Sequence, residues 1–212
     1  KKKKKKKLLI FSKLKKKFLK IMACDLTLGR KELCKDVVGG LKNVYFVDFG
    51  DLGTVTLTND EITNMTGSSG SLTAFKYELK GNSSFEQAIT SSRENGTTFV
   101  EQTLTLTLKK LTKEDNKELK LLAYGRPHVA VEDYNGNVFM MGLEHGAEVT
   151  GGTISTGAAM GDLSGYTLTM AATELAPANF MDSDTKDIDF PFSVTDYAGL
   201  DGTVTITLGT NT

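Results

Sequence analysis

The stretch SSRENGTTFVEQTLTLTLKK, residues 91–110, constrains the fold more than any other part of the chain. Its Thr residues alternate with Val and Leu, the period of two that a half-buried β-strand requires. Asn95-Gly96 is a dipeptide of the type I′ hairpin turn, in which both central residues need positive φ. With Asn95 and Gly96 as the loop, Glu94 stands opposite Thr97, Thr90 opposite Glu101 and Glu86 opposite Thr105. Successive side chains point to opposite faces, so the register divides the residues between two surfaces. One surface carries Ser84, Glu86, Ala88, Thr90, Ser92 and Glu94 with Thr97, Phe99, Glu101, Thr103, Thr105 and Thr107. The other carries Phe85, Gln87 and Ile89 with Val100, Gln102, Leu104, Leu106 and Leu108, and Arg93 near the tip. The expectation is a long hairpin over about 83–108, each arm spanning roughly 40 Å at about 3.3 Å per residue. Phe85, Ile89, Leu104, Leu106 and Leu108 form its packing face; the opposite face is polar and acidic.

The remaining segments extend the same β pattern. KNVYFVDFG (42–50) reads as an apolar strand, with VVGGLK (37–42) as the turn before it. GTVTLTND (53–60) alternates and predicts a strand with one buried face; NMTGSSGSL (64–72) predicts a flexible loop. TAFKYELKG (73–81) sets Phe75, Tyr77 and Leu79 against Lys76, Glu78 and Lys80. A second hairpin over 128–146 turns at Asn135-Gly136, and the strands 147–157 and 165–174 are joined by AAMGDLS. A linker is expected over 175–187, then a pair of strands, IDFPFSV and GTVTITLG, the first an edge strand because it holds Pro191. One helix interrupts this series, over about 112–124. Thr112 is its N-cap, Glu114 and Asp115 suit its positive end, and Leu119, Leu122 and Ala123 form its apolar stripe. Gly125 supplies a left-handed stop and Pro127 prevents continuation. The fold class is therefore mainly β: an antiparallel barrel or sandwich with one flanking helix.

Charge is unevenly spread. Residues 1–21 hold 12 Lys and no acid, leaving 14 basic residues against 26 acidic ones in the remainder, a net charge of −12. Such a body repels nucleic acid rather than gripping it. The leader admits three readings. Leu8, Phe11, Leu14, Phe18 and Ile21 recur at helical spacing, as in a basic amphipathic helix. IMAC (21–24) resembles a lipoprotein cleavage box, but lysines interrupt the apolar core that a signal peptide needs. An A-rich leader read through before a start at Met22 explains the lysines most simply, and places residues 1–21 outside the folded protein.

Little in the chain has the spacing of a reactive site. Cys24 and Cys34 define no disulfide framework, and His128 and His145 lack the spacing of zinc ligands. GGTISTGAAMGDLSG lacks the Gly-Lys-Ser/Thr ending of a phosphate loop and opens no helix, so it reads as a turn. Glu144-His145 reads as a strand end, and Asp133, Asp162 and Asp182 have no paired carboxylate at fixed spacing. The expectation is a protein without enzymatic activity, metal or cofactor. There is no run of about 18 apolar residues to span a membrane as a helix.

The order of strands, long hairpin, single capped helix, second hairpin and Gly-rich strand pair resembles the tail tube proteins of tailed bacteriophages, and more distantly the tube protein of type VI secretion systems. CKDVVGGLKNVYFVDFG, SSRENGTTFVEQTLTLTLKKLT and TGGTISTGAAMGDLSGYTLTM carry the likeness, over about residues 22–174. Residues 175–212 fall outside it, as a C-terminal extension or arm. The resemblance implies a virion protein, assembled in the host bacterial cytoplasm into stacked homo-oligomeric rings, by analogy hexamers. Other tail proteins would be its partners, DNA would pass through the lumen without specific binding, and no membrane would be involved. The lumen would be lined by Glu86, Glu94, Glu101, Thr103 and Thr105. A head–tail connector or capsid decoration protein shares this composition; a surface lipoprotein adhesin anchored at Cys24 is the alternative from another class.

Overall fold

The computed structural model describes residues 28–32 and 34–209. The Lys-rich segment 1–21, Met22 and Cys24 lie outside the described residues. The chain divides into two units, 1–36 and 37–212. In the first, residues 28–32 and 34–36 contain neither helix nor strand and are exposed, Cys34 among them.

The second unit is mainly β and is built from two sheets. The larger has eight strands: β1 (Leu41–Val47), β2 (Val55–Thr58), β3 (Glu61–Met65), β4 (Leu72–Glu78), β7 (His128–Asp133), β8 (Val138–Met141), β11 (Asn179–Met181) and β12 (Val204–Leu208). Their spatial order is β12-β4-β1-β7-β8-β11-β3-β2. The smaller sheet orders β5 (Ser84–Ser92), β6 (Thr97–Lys109), β10 (Gly165–Glu174) and β9 (Glu148–Ser155) as β5-β6-β10-β9, antiparallel throughout. The larger sheet is mixed, because β12 pairs with β4 and β11 with β3 in parallel. It does not close into a barrel, so of the two expected architectures the sandwich is the one adopted.

The larger sheet is covered on both faces, which explains why β1 and β7 are buried almost end to end rather than alternately. Tyr45, Val47, Leu72, Ala74, Ala130 and Met140 point into one core. Val44, Phe46, Leu79, Val129, Val131 and Met141 point into a second, where they meet Leu104, Leu106, Met170 and Ala172 of the smaller sheet. The first core is completed by the C-terminal residues Met181, Phe192, Tyr197 and Leu200. Residues 175–209, the described part of the expected extension or arm, supply β11, β12 and these core residues. The expected linker contains β11, inserted between β8 and β3. IDFPFSV forms turns rather than an edge strand, because Phe190 and Phe192 point inward and meet Tyr45 edge-on, with centroids 6.5 and 6.3 Å apart.

β2 is an exposed edge strand apart from half-buried Val55, not a strand with one buried face. Residues 66–71 are a tight turn rather than a flexible loop: Ser68 and Ser71 pair, and Gly67 and Gly70 take positive φ where a Cβ would collide with Ser71 and Asp201. Tyr77 on β4 and Leu79 just beyond it pack against the second core, while Phe75, although paired on both sides with Phe46 and Thr207, is exposed.

The one helix among the described residues, α1 (Lys113–Tyr124), begins as the sequence predicts: Thr112 Oγ1 accepts from the Asp115 N–H at 3.0 Å. Leu119 is buried at 7% exposure and Leu122 is half-buried against the second core, but Ala123 is exposed. Its end differs from expectation. Gly125 is extended (φ −88°), and its N–H closes the helix by bonding the carbonyls of Leu121 and Leu122.

Candidate functional surface

The smaller sheet has one face on the second core and one face outward. β5 and β6 form the long hairpin, with a register two residues removed from the expected one. Ser92 pairs with Thr97, Thr90 with Phe99 and Glu86 with Thr103. The turn is the four residues Arg93–Gly96, and only Gly96 takes positive φ (63°), so the two-residue I′ turn does not form. A slip of two residues keeps every side chain on its predicted face. Glu94 is the exception among the proposed lumen residues: it sits in the loop, outside the ladder, and is exposed.

The inward face matches the predicted packing residues in all but one position. Leu104 and Leu106 are fully buried, and Phe85 and Leu108 are partly buried against the same core. Ile89 is 69% exposed, although its cross-strand partner Val100 is 2% exposed. Ile89 lies on the outermost strand, on the stretch of hairpin nearer the tip than the Gln87–Gln102 pair. Gln87 Oε1 accepts from the Ala178 N–H at 2.7 Å, and the buried Gln102 accepts from the Gly142 N–H at 3.0 Å. These two glutamines fix the hairpin to the loops beneath it.

The outward face continues across all four strands. The ladder sets Ser84 beside Thr105, Thr105 beside Thr169, and Thr107 beside Thr167 and then Thr153. Glu86 and Glu101 are exposed, while Thr103 and Thr105 are half-buried between neighbouring side chains. Hydroxyls therefore dominate the middle of this face, and β5 and β6 add carboxylates with a single cation, Lys109, at the base. Both margins are open. β5 and β9 each pair on one side only, and nearly all their residues are exposed.

Three other groupings have chemical potential. Glu132, 2% exposed on β7, accepts from Lys42 Nζ at 2.7 Å, Asn43 Nδ2 at 2.5 Å and Tyr45 Oη at 3.2 Å. It adjoins a cleft of about 380 Å³ that also meets Lys76, Lys186 and Asp187. Burial first, and then the Glu132 charge, push the Tyr45 phenol far above its ordinary range, so it remains a hydrogen-bond donor. The carboxylate is thus occupied by three donors and the phenol by the carboxylate. In the Gly-rich connection, Asp162 accepts from the N–H groups of Ala158 and Ala159, which hold its pKa below the usual carboxylate value. This is turn geometry, as the sequence predicts, with no helix following.

The third grouping is Glu144, His145 and Glu174. The sequence shows only the adjacent Glu144-His145 pair; Glu174 arrives from β10, and its carboxylate meets His145 Nδ1 at 3.0 Å. A single chain offers no periodic signal for a contact across 29 residues.

No family model, curated protein or solved structure matches this chain.

Proposed function

We propose that the protein is a structural subunit that pairs edge to edge with copies of itself, making a ring whose inner wall is the hydroxyl face of the four-stranded sheet. Such rings would stack as a tube that conducts DNA, the role of the phage tail tube proteins that the sequence resembles, with the subunit residing in the virion. The observation that carries this reading is the pair of long open margins, β5 of nine residues and β9 of eight.

An unpaired strand edge presents a row of free N–H and C=O groups and invites association. Here the geometry suits a closed association. An antiparallel sheet with an even number of strands has margins that run in opposite directions. A neighbour related by simple rotation therefore brings its β9 antiparallel to β5, and the alternation continues around the ring. Pairing would also cover Ile89, which has no cover in the single subunit. The outward hydroxyls and the carboxylates of Glu86 and Glu101 would line the lumen. Such a wall presents water-compatible groups while repelling phosphates, so a duplex passes without being held. The occupied state of the Glu132 carboxylate supports a structural over an enzymatic role.

The test is assembly state by analytical ultracentrifugation and negative-stain microscopy. Wild type is expected to form rings or tubes. Ile89→Lys places a charge on the margin, and should leave a monomer of unchanged unfolding midpoint. A wild-type protein that stays monomeric across the micromolar range, or an Ile89→Lys variant that assembles normally, would refute edge pairing.

A further inference from the structure

We propose that Glu144, His145 and Glu174 form a binding site for a divalent late first-row transition-metal ion, of which Zn²⁺ is the probe of choice. The site lies in the turn that leads into β9, and its ligands come from one chain, so it does not depend on the ring.

The turn between β8 and β9 is closed by the Gly146 N–H bonding the Gly142 carbonyl, with both glycines at positive φ. This turn presents Glu144 and His145 toward the last residue of β10. Glu174 is 5% exposed, and its two oxygens have separate tasks. Oε1 accepts from the N–H groups of Glu144 (3.1 Å) and His145 (2.9 Å), which anchors the turn. Oε2 is left to face His145 Nδ1 at 3.0 Å. A ligating carboxylate held by backbone donors on its other oxygen is a common way to orient a metal ligand.

The third ligand is available. The Glu144 side chain is exposed and makes no hydrogen bond or ion pair among the described residues. One donor atom from each of the three residues lies within 4.8 Å of the others. Ligands bound at about 2.0–2.2 Å stand roughly 3.3 Å apart around a tetrahedral ion, so small rotations of the exposed Glu144 and His145 suffice. One imidazole with two carboxylates suits Zn²⁺, Co²⁺ or Ni²⁺ better than Ca²⁺ or Mg²⁺, which take all-oxygen shells. With a carboxylate as its partner, Nδ1 carries the ring proton when no ion is bound. Binding moves that proton to the exposed Nε2 and gives the Nδ1 lone pair to the metal. Water completes the coordination, and the ion would cross-link the β8–β9 turn to the end of β10.

The experiment uses the full chain carrying Cys24→Ser and Cys34→Ser, because thiolates would compete for the ion. Isothermal titration with Zn²⁺ is expected to show one saturable site per chain. Glu144→Gln and His145→Gln should each weaken it about tenfold or more. Their unfolding midpoints in EDTA should match that of the parent, since neither side chain is buried. Co²⁺ should give visible d–d absorption in the parent that both variants lose. Equal affinity in the parent and both variants, or no saturable uptake up to about 1 mM Zn²⁺, would overturn the assignment.

Discussion

His128 is buried at the start of β7, and both of its ring nitrogens are in use. Nδ1 lies 2.7 Å from the Gly142 carbonyl oxygen, and Nε2 accepts from the Gly50 N–H at 3.2 Å. The ring stacks on Phe49, which in turn carries the Arg126 guanidinium 4.0 Å from its centroid. This arrangement requires the neutral tautomer with the proton on Nδ1. Burial is the main cause that lowers the His128 pKa below its ordinary 6.5; Arg126 adds to it, while the Gly142 bond and the charges of Glu174 and Asp51 oppose it. The unfolded chain therefore takes up this proton at higher pH than the folded one. The stabilisation from the neutral ring is complete above about pH 6.5 and falls away as pH drops toward the folded-state value. Denaturant unfolding at several pH values between 7 and 5 should show stability declining in wild type and a shallower decline in His128→Gln. Equal slopes would mean that the ring does not titrate with folding. None of this was legible in the sequence, where His128 is only the first residue of an apolar run. The ring's partners come from loops 78 and 14 residues away. Glu174 was hidden for the same reason, since contacts of this kind leave no local pattern.

Elements whose signal is local and periodic are legible in the sequence. Alternation assigned the two faces of the hairpin, and the capping residues placed the start of α1 correctly. Register and chain reversal were harder, because they depend on backbone conformation at one or two residues. Asn95-Gly96 suggested a tight turn, yet the chain uses four residues, and parity alone kept the faces right. Gly96 nevertheless remains the residue on which the turn depends. It takes φ 63° with no atom near the place a Cβ would occupy, so a side chain there meets conformational cost but no collision. Gly96→Ala should thus lower stability by about 1 kcal/mol, read as a shift of the denaturant midpoint at constant m-value. A neutral result would show that the tip rearranges freely. The segment 188–194 failed for the opposite reason. Its composition is strand-like, but its aromatic residues are anchors for Tyr45 rather than members of a ladder.

At the scale of the whole molecule, the arrangement of layers follows from which surfaces are apolar on both sides. β1 and β7 can lie at the centre because the C-terminal segment covers one face of their sheet and the smaller sheet covers the other. The smaller sheet has only one such cover, and its outward face is correspondingly polar. Glu86 and Glu101 stand on that face and Glu94 on the exposed turn, so all three can be changed without touching the core. In the proposed ring they face the lumen or its rim, and their sign matters for passage, not for folding or pairing. Converting all three to Lys should therefore leave the unfolding midpoint and ring formation nearly unchanged. It should, however, turn a wall that repels DNA into one that retains it. Binding of short duplex DNA, absent in wild type, should appear in the variant and weaken with salt. The logarithm of its affinity should fall by about 0.9 per decade of salt for each phosphate neutralised. If the variant folds but no longer assembles, these residues belong to a contact between subunits. If the wild-type ring itself retains DNA as strongly, the acidic hydroxyl face is not the wall of a passage.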